Sequence, residues 1–442
     1  MSGAESGFKN PDRSLARRDD ALPGLPYLLD NARLSSLLGE TVRVTRVRYK
    51  PRTSLLVAFR RIRNGAFDYG WAMTRTRTGN AKLLRRELTS RSRGGDIRVL
   101  RPDPRQDDNM VAVGGVEDDW VLCGNLLWLR EHGMERLGLP QQPGALLAGA
   151  GSVLRYKPER RLVLFVQNSG APVVIKAAAT PAGAEQEAGF LERLNLHGVP
   201  HLPQLGDAEC LEHGISACAA WGGGDLAGLD DDSGAVSAGE ALARLHGIPL
   251  RGFPPGPDVW RDDIAAQLGA TRSMVAQLLP ALEEPARRVE AELRARLLTD
   301  GAASKYVLVH GDFSADQVLV GGSEVRLIDF DRARTGVAEA DLGSFAAAEE
   351  AVHAGGAGGS GSASSEAGGS GGAGGAAPAG GPKTAGLSEG YARAGGRFTE
   401  AGVDAWAAFR LFNSSVDPFR DRSPEWAADM SWHLRRAKEL IS

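Results

Sequence analysis

Cysteine is nearly missing from this chain: Cys123, Cys210 and Cys218 are the only three in 442 residues. None has CxxC or CxxH spacing, so neither a disulfide framework nor a cysteine metal site is expected. Each thiol reads as a small core residue in a reducing compartment. A charge excess is missing too. The formal charge of −3 gives no global reason to expect a nucleic-acid or membrane partner. No apolar run approaches the roughly 18 residues of a membrane span. The opening stretch, MSGAESGFKNPDRSLARRDD, lacks the apolar segment of a signal peptide. The expectation is a soluble, cytoplasmic protein whose residues 1–26 form a disordered lead.

What is present fits a globular chain of two or three domains, with 42% hydrophobic and 24% charged residues. Two stretches repeat. RYKPRTSLLVAF starts at Arg48 and RYKPERRLVLFV starts at Arg155, and in both an apolar strand follows in step. Each then turns at a glycine, Gly65 or Gly170, into a third strand. The pattern predicts a duplicated β-hairpin unit, with one small α+β domain at 27–140 and a second sheet at 145–215. Aligning the two glycines places Trp71 where the second copy has Lys176, so the first copy is expected to lack a cation there. Helical spacing dominates the rest, 216–442. It is interrupted at 354–382 by Gly, Ala and Ser with Glu366 as the single charge. That composition cannot offset its ordering entropy, so a flexible insertion is expected.

Chemistry-bearing residues follow in a particular order. Lys176 ends the strand VVIK, and Glu187 comes on the next helix. HGDFSADQ then runs from His310 to Gln317, and IDFD carries Asp329 and Asp331. Taken singly, each carboxylate is equally a turn cap. Together they match the parts needed for phosphoryl transfer: a lysine for phosphates with an acid to hold it, a carboxylate for the acceptor hydroxyl, and hard oxygens for Mg²⁺. The order is that of protein kinases.

LVHGDFSADQVLV, VRLIDFDRA, ADLGSF and ALARLHGIPL resemble the aminoglycoside phosphotransferase family, over roughly residues 145–442. The resemblance implies a bilobal, protein-kinase-like α+β fold, with the 27–140 domain a degenerate duplicate of the small lobe. Nucleotide would lie between the lobes. It implies Asp312 as catalytic base, Asp329 and Gln317 as magnesium ligands, and Asp331 near the metal. Lys176 would bind phosphate and Glu187 would pair with it. His310 would brace the loop, and Asp341 would be structural. ATP and Mg²⁺ would be the cofactors, and a small hydroxylated molecule or a peptide the acceptor.

Two departures bear on this. Gln317 stands where the family has Asn, and its extra methylene displaces the amide oxygen by roughly 1–1.5 Å. The hairpin turn KPER has no glycine, so turn amides and Arg160 or Lys157 would have to meet the phosphates. A kinase acting on peptide Ser or Thr is the second reading, and a catalytically weak nucleotide-binding regulator the third. A site for polycationic aminoglycosides would favour acidic walls, and the charges from Asp417 to Ser442 are mixed.

Overall fold

The two repeated hairpins each open a five-stranded antiparallel sheet. The first contains β1 (Val42–Lys50), β2 (Ser54–Arg63), β3 (Ala66–Arg75), β4 (Arg98–Leu100) and β5 (Val111–Gly115). The second contains β6 (Gly151–Lys157), β7 (Arg161–Val166), β8 (Val173–Ala178), β9 (Gln204–Leu205) and β10 (Ile215–Ala219). Their spatial orders are β1-β2-β3-β5-β4 and β6-β7-β8-β10-β9. These are the same topology, and each has a helix after its third strand, Asn80–Ser92 and Ala184–Leu196. This computed structural model describes residues 10–63, 65–103, 105, 108–139, 151–180, 184–229, 232–251, 257–298, 306–357 and 378–442.

Register corrects one expectation. Leu162 and Leu55 both face the tyrosine of their RYKP stretch, so they are equivalent. The next residues, Val163 and Leu56, pair with Lys176 and Met73 respectively. Met73, not Trp71, therefore occupies the lysine position. The glycine alignment failed because the connection between the second and third strands differs in length between the copies. The conclusion drawn from it survives, since methionine is no more a cation than tryptophan. Both side chains are buried, at 2% exposure.

Burial explains what became of the first copy. Strands β7 and β8 alternate cleanly: Leu162, Leu164, Val173, Ile175 and Ala177 are buried, while Val163 and Lys176 are only partly so. The buried face shares one core with Leu56, Ala58, Trp71, Met73 and Leu83 of the first copy. The face of the first sheet that corresponds to the Lys176 face is thus filled by the back of the second sheet. Apolar burial at roughly 25 cal/mol per Å² holds the two sheets together. They form one unit rather than the two domains expected at 27–140 and 145–215. That unit comprises residues up to Gly189, Pro203–Ala220 and Phe419–Trp426.

The lead is also ordered where it is described, contrary to expectation for 1–26. A helix spans Pro11–Arg18, capped by the Asn10 side chain, and Leu15, Leu22 and Leu25 are buried. Apolar residues every few positions give this segment something to bury, which its overall polarity concealed. Segment 419–426, expected within 216–442, joins this unit through Arg422, whose guanidinium donates to both Asp12 oxygens at 3.0 and 2.6 Å.

The second unit comprises Phe190–Leu202, Trp221–Pro418 and Ala427–Ser442. It is largely helical, with small β-structure around the HGDFSADQ loop. β11 (Gly224–Asp225), β13 (Val318–Gly321) and β14 (Glu324–Leu327) form one sheet; β12 (Tyr306–Val309) and β15 (Arg334–Val337) pair as another. The expected insertion is narrower than 354–382 at both ends. Helix Ala338–Ala357 runs into it. Beyond it, the amides of Gly381, Lys383 and Thr384 donate to Glu349 and that of Gly380 to Glu350. The intervening 358–377 lie outside the described residues.

Candidate active site

The HGDFSADQ loop leaves β12, and its backbone is fixed by one buried carboxylate. Asp341, fully buried, accepts the amides of His310 at 2.6 Å and Gly311 at 2.9 Å. Its Oδ2 also lies 3.0 Å from Nε2 of His246, whose Nδ1 is 2.8 Å from the Tyr391 hydroxyl. Asp341 is therefore structural, as the resemblance implies. Gly311 sits at φ 82, and a Cβ there would run into the Arg332 carbonyl, so only glycine suits this turn. His310 is buried and its Nε2 donates to the Ile328 carbonyl at 2.9 Å, which ties the loop to the segment before Asp329.

Asp312 projects from this frame between two arginines. Arg410, on helix Glu400–Ser414, donates at 2.7 Å to Oδ1, and Arg332 lies 3.4 Å from Oδ2. Burial pushes the carboxyl up, but Arg410 and then Arg332 outweigh it and hold Asp312 below the ordinary carboxylate range. Arg410 was not singled out from the sequence. It lies 98 positions from Asp312 on a helix whose pattern announces only core packing.

Hairpin β13–β14 brings the backbone of Gln317 to the segment that carries Asp329 and Asp331. Its ladder continues past Val318↔Leu327, with the Ile328 amide donating to the Gln317 carbonyl at 3.0 Å. Gln317 is thus set beside the residue preceding Asp329. Its side-chain amide has no hydrogen-bond partner among the described residues. Asp329 adopts φ 63, ψ 53, a left-handed conformation that Asp tolerates better than most residues. Asp331 is exposed two residues on. Among the described residues no group of three or more His, Cys, Asp or Glu gathers as a metal cluster. One carboxylate and one amide oxygen nevertheless fit Mg²⁺, which keeps most of its waters.

The first unit holds the other candidates. Lys176 is half-buried in β8, paired with Val163 and Ser216. Arg160 is exposed at the β6–β7 turn, where its amide donates to the Lys157 carbonyl at 3.0 Å. Glu187 stands in helix Ala184–Leu196, but its side chain lies outside the described residues. Lys157 is pushed down to about 8 by burial, then by Arg155, Arg161 and Arg46.

Residues 157–371 match the model of the phosphotransferase enzyme family. The match takes in a little under half of the 442 residues. The matched range contains Lys176, the HGDFSADQ loop and IDFD, and the match supports a phosphotransferase acting on hydroxyl groups. No curated protein matches the chain by sequence. Among solved structures, a choline/ethanolamine kinase family protein from Mesorhizobium loti is 15% identical over 73% of this chain and 95% of its own, with a TM-score of 0.45. A macrolide 2'-phosphotransferase type I is 18% identical over 64% and 90%, with a TM-score of 0.40. An amicoumacin kinase, solved with AMP-PNP and Ca²⁺, is 13% identical over 66% and 88%, with a TM-score of 0.45.

Proposed function

We propose that the protein transfers the γ-phosphoryl group of ATP, with Mg²⁺, to a hydroxyl of a small molecule. The observation that carries the reading is the seating of Asp312. A half-exposed carboxylate, kept ionised by Arg410 and Arg332, stands on a backbone fixed by Asp341. An acceptor hydroxyl hydrogen-bonded to Asp312 is oriented for attack and gives up its proton there as the new P–O bond forms and the γ-phosphorus parts from the bridging oxygen, which leaves with ADP. Gln317 and Asp329 would hold Mg²⁺, which supplies charge neutralisation on the transferred phosphate. Lys176 would meet the phosphates and Glu187 would orient it.

The cations around Asp312 bear on the acceptor. A polycationic aminoglycoside would approach two guanidiniums, whereas a neutral or anionic hydroxylated molecule would not be repelled. The peptide-kinase reading has no specific observation in its favour.

The test is ATP turnover against a panel of neutral and anionic sugars and alcohols. Asp312→Asn should keep ATP affinity and lower turnover by at least about a hundredfold. Gln317→Ala should raise the Mg²⁺ requirement. Undiminished turnover in Asp312→Asn removes Asp312 from the chemistry. Absence of both turnover and slow ATP hydrolysis in the wild type favours the regulatory reading.

A further inference from the structure

The β6–β7 turn of the second repeat, Lys157–Arg160, takes the place in the sheet of the turn expected to lie over nucleotide phosphates. It contains no glycine, yet Glu159 adopts φ 58. Such a conformation in a non-glycine residue persists only where the surroundings enforce it. Three contacts hold Glu159, one at its amide and two at its carboxylate. The Glu159 amide donates to Asp119 Oδ2 at 2.7 Å. Arg48 donates to its Oε2 at 3.1 Å, and Arg86 to its Oε1 at 3.0 Å. Arg48 is on β1 and Arg86 on helix Asn80–Ser92, so both carboxylate oxygens are taken by the first repeat, from two different elements.

The first repeat supplies its own control. Its turn has Arg52 at the equivalent position, with φ 53 and its amide on Asp19 at 2.9 Å. Among the described residues the Arg52 side chain, however, is paired only with the exposed Asp20, at 3.6 Å. The amide tie is common to both turns. The carboxylate tie belongs to the second turn alone, the one in the copy that keeps Lys176.

We propose that the first repeat acts as a clamp, with Arg48 and Arg86 as positioning residues. The shared amide tie sets the turn's shape; through Glu159 the two arginines anchor that turn so that it stays ordered to receive the nucleotide's phosphates. A turn ordered in advance loses less entropy when ligand arrives. The partly buried pairs survive salt better than surface pairs, since side-chain exposure is 15% at Arg86 and 16% at Glu159. The proposal rests on the phosphotransferase reading for the identity of the ligand.

The experiment measures Mg·ATP affinity and amide hydrogen exchange over residues 155–162 in the full chain. It compares wild type, the double variant Arg48→Ala/Arg86→Ala, and Glu159→Gln, which keeps side-chain shape if the double variant folds poorly. Faster exchange in the turn and a Kd raised about tenfold, or about 1.4 kcal/mol, are expected. Arg86→Lys with Arg48 intact should recover most of the affinity. Faster exchange with wild-type affinity overturns the proposal and leaves Glu159 a brace between the repeats. A lowered melting temperature with neither readout changed overturns it too. Wild-type protein that binds no nucleotide defeats the phosphotransferase reading and this proposal with it. The exchange data then still report separately whether the turn is held.

Discussion

Replacing Asp119 by alanine should destabilise the first unit far more than the equivalent change at Asp19. Both carboxylates are buried, at 1% and 4% exposure, and both accept the tyrosine hydroxyl and a turn amide of their own repeat. Asp119 does more. Its Oδ1 also accepts the amides of Val121 at 3.0 Å and Leu122 at 3.2 Å, just before helix Cys123–Trp128. Asp19 Oδ1 is buried without a hydrogen-bond partner among the described residues. A donor left unsatisfied in the interior costs about 1–3 kcal/mol. Four donors, of which that of Val121 can partly reach water, suggest a loss of about 3–5 kcal/mol for Asp119→Ala. Two donors suggest about 1.5–3 kcal/mol for Asp19→Ala, reduced because an unpartnered oxygen is removed as well. Urea titration followed by tryptophan fluorescence measures both. Equal losses, or a loss below about 1.5 kcal/mol at Asp119, would refute the accounting of donors.

Other expectations follow from the second unit and from the repeat. Arg410→Gln should move the acid limb of turnover to higher pH, because Asp312 loses the stronger of two cations that hold its pKa down. The same depressed carboxyl contributes stability above its unfolded pKa and loses it as pH falls through the folded value, so the variant should also lose stability at neutral pH; an unmoved acid limb would separate Asp312 from the titration. Replacing 358–377 by a short Gly-Ser linker should change the melting temperature by no more than about 2 °C, whereas deleting 355–381 should cost several degrees by removing amides held on Glu349, Glu350 and Asp404. Met73→Lys should lower stability by about 3 kcal/mol or more, since it buries a charge beside Arg86, 3.6 Å from the Met73 sulfur. It should create no second nucleotide site, and calorimetry showing two nucleotides per chain would contradict the filled face.

The repeat was legible because RYKP is short, unusual and followed by strands in step. Its full length was not. The shared turn carboxylates, Asp19 and Asp119, precede their strands by different distances, so no fixed offset reveals them. Leu22 and Gly24 recur as Leu122 and Gly124, a faint signal that the ordered lead belongs to the first copy. Register could not be read across loops of unequal length, which misplaced Trp71 by two residues while keeping it on the correct face. The candidate residues within HGDFSADQ and IDFD could be singled out because phosphoryl-transfer chemistry would confine them to one loop and one hairpin. Arg410 was not, since a cation that meets its carboxylate only through tertiary packing leaves no local pattern.

Asp341 fixes the loop through two backbone amides and does not touch the Asp312 side chain. The loop's backbone is therefore held independently of the side chain at 312, whose own ion pairs run to Arg410 and Arg332. A chain disabled there would retain the loop's shape, so Asp312→Asn can serve as a substrate trap. Soaked with cell extract and a slowly hydrolysed nucleotide, it would hold the acceptor long enough for mass spectrometry to name it.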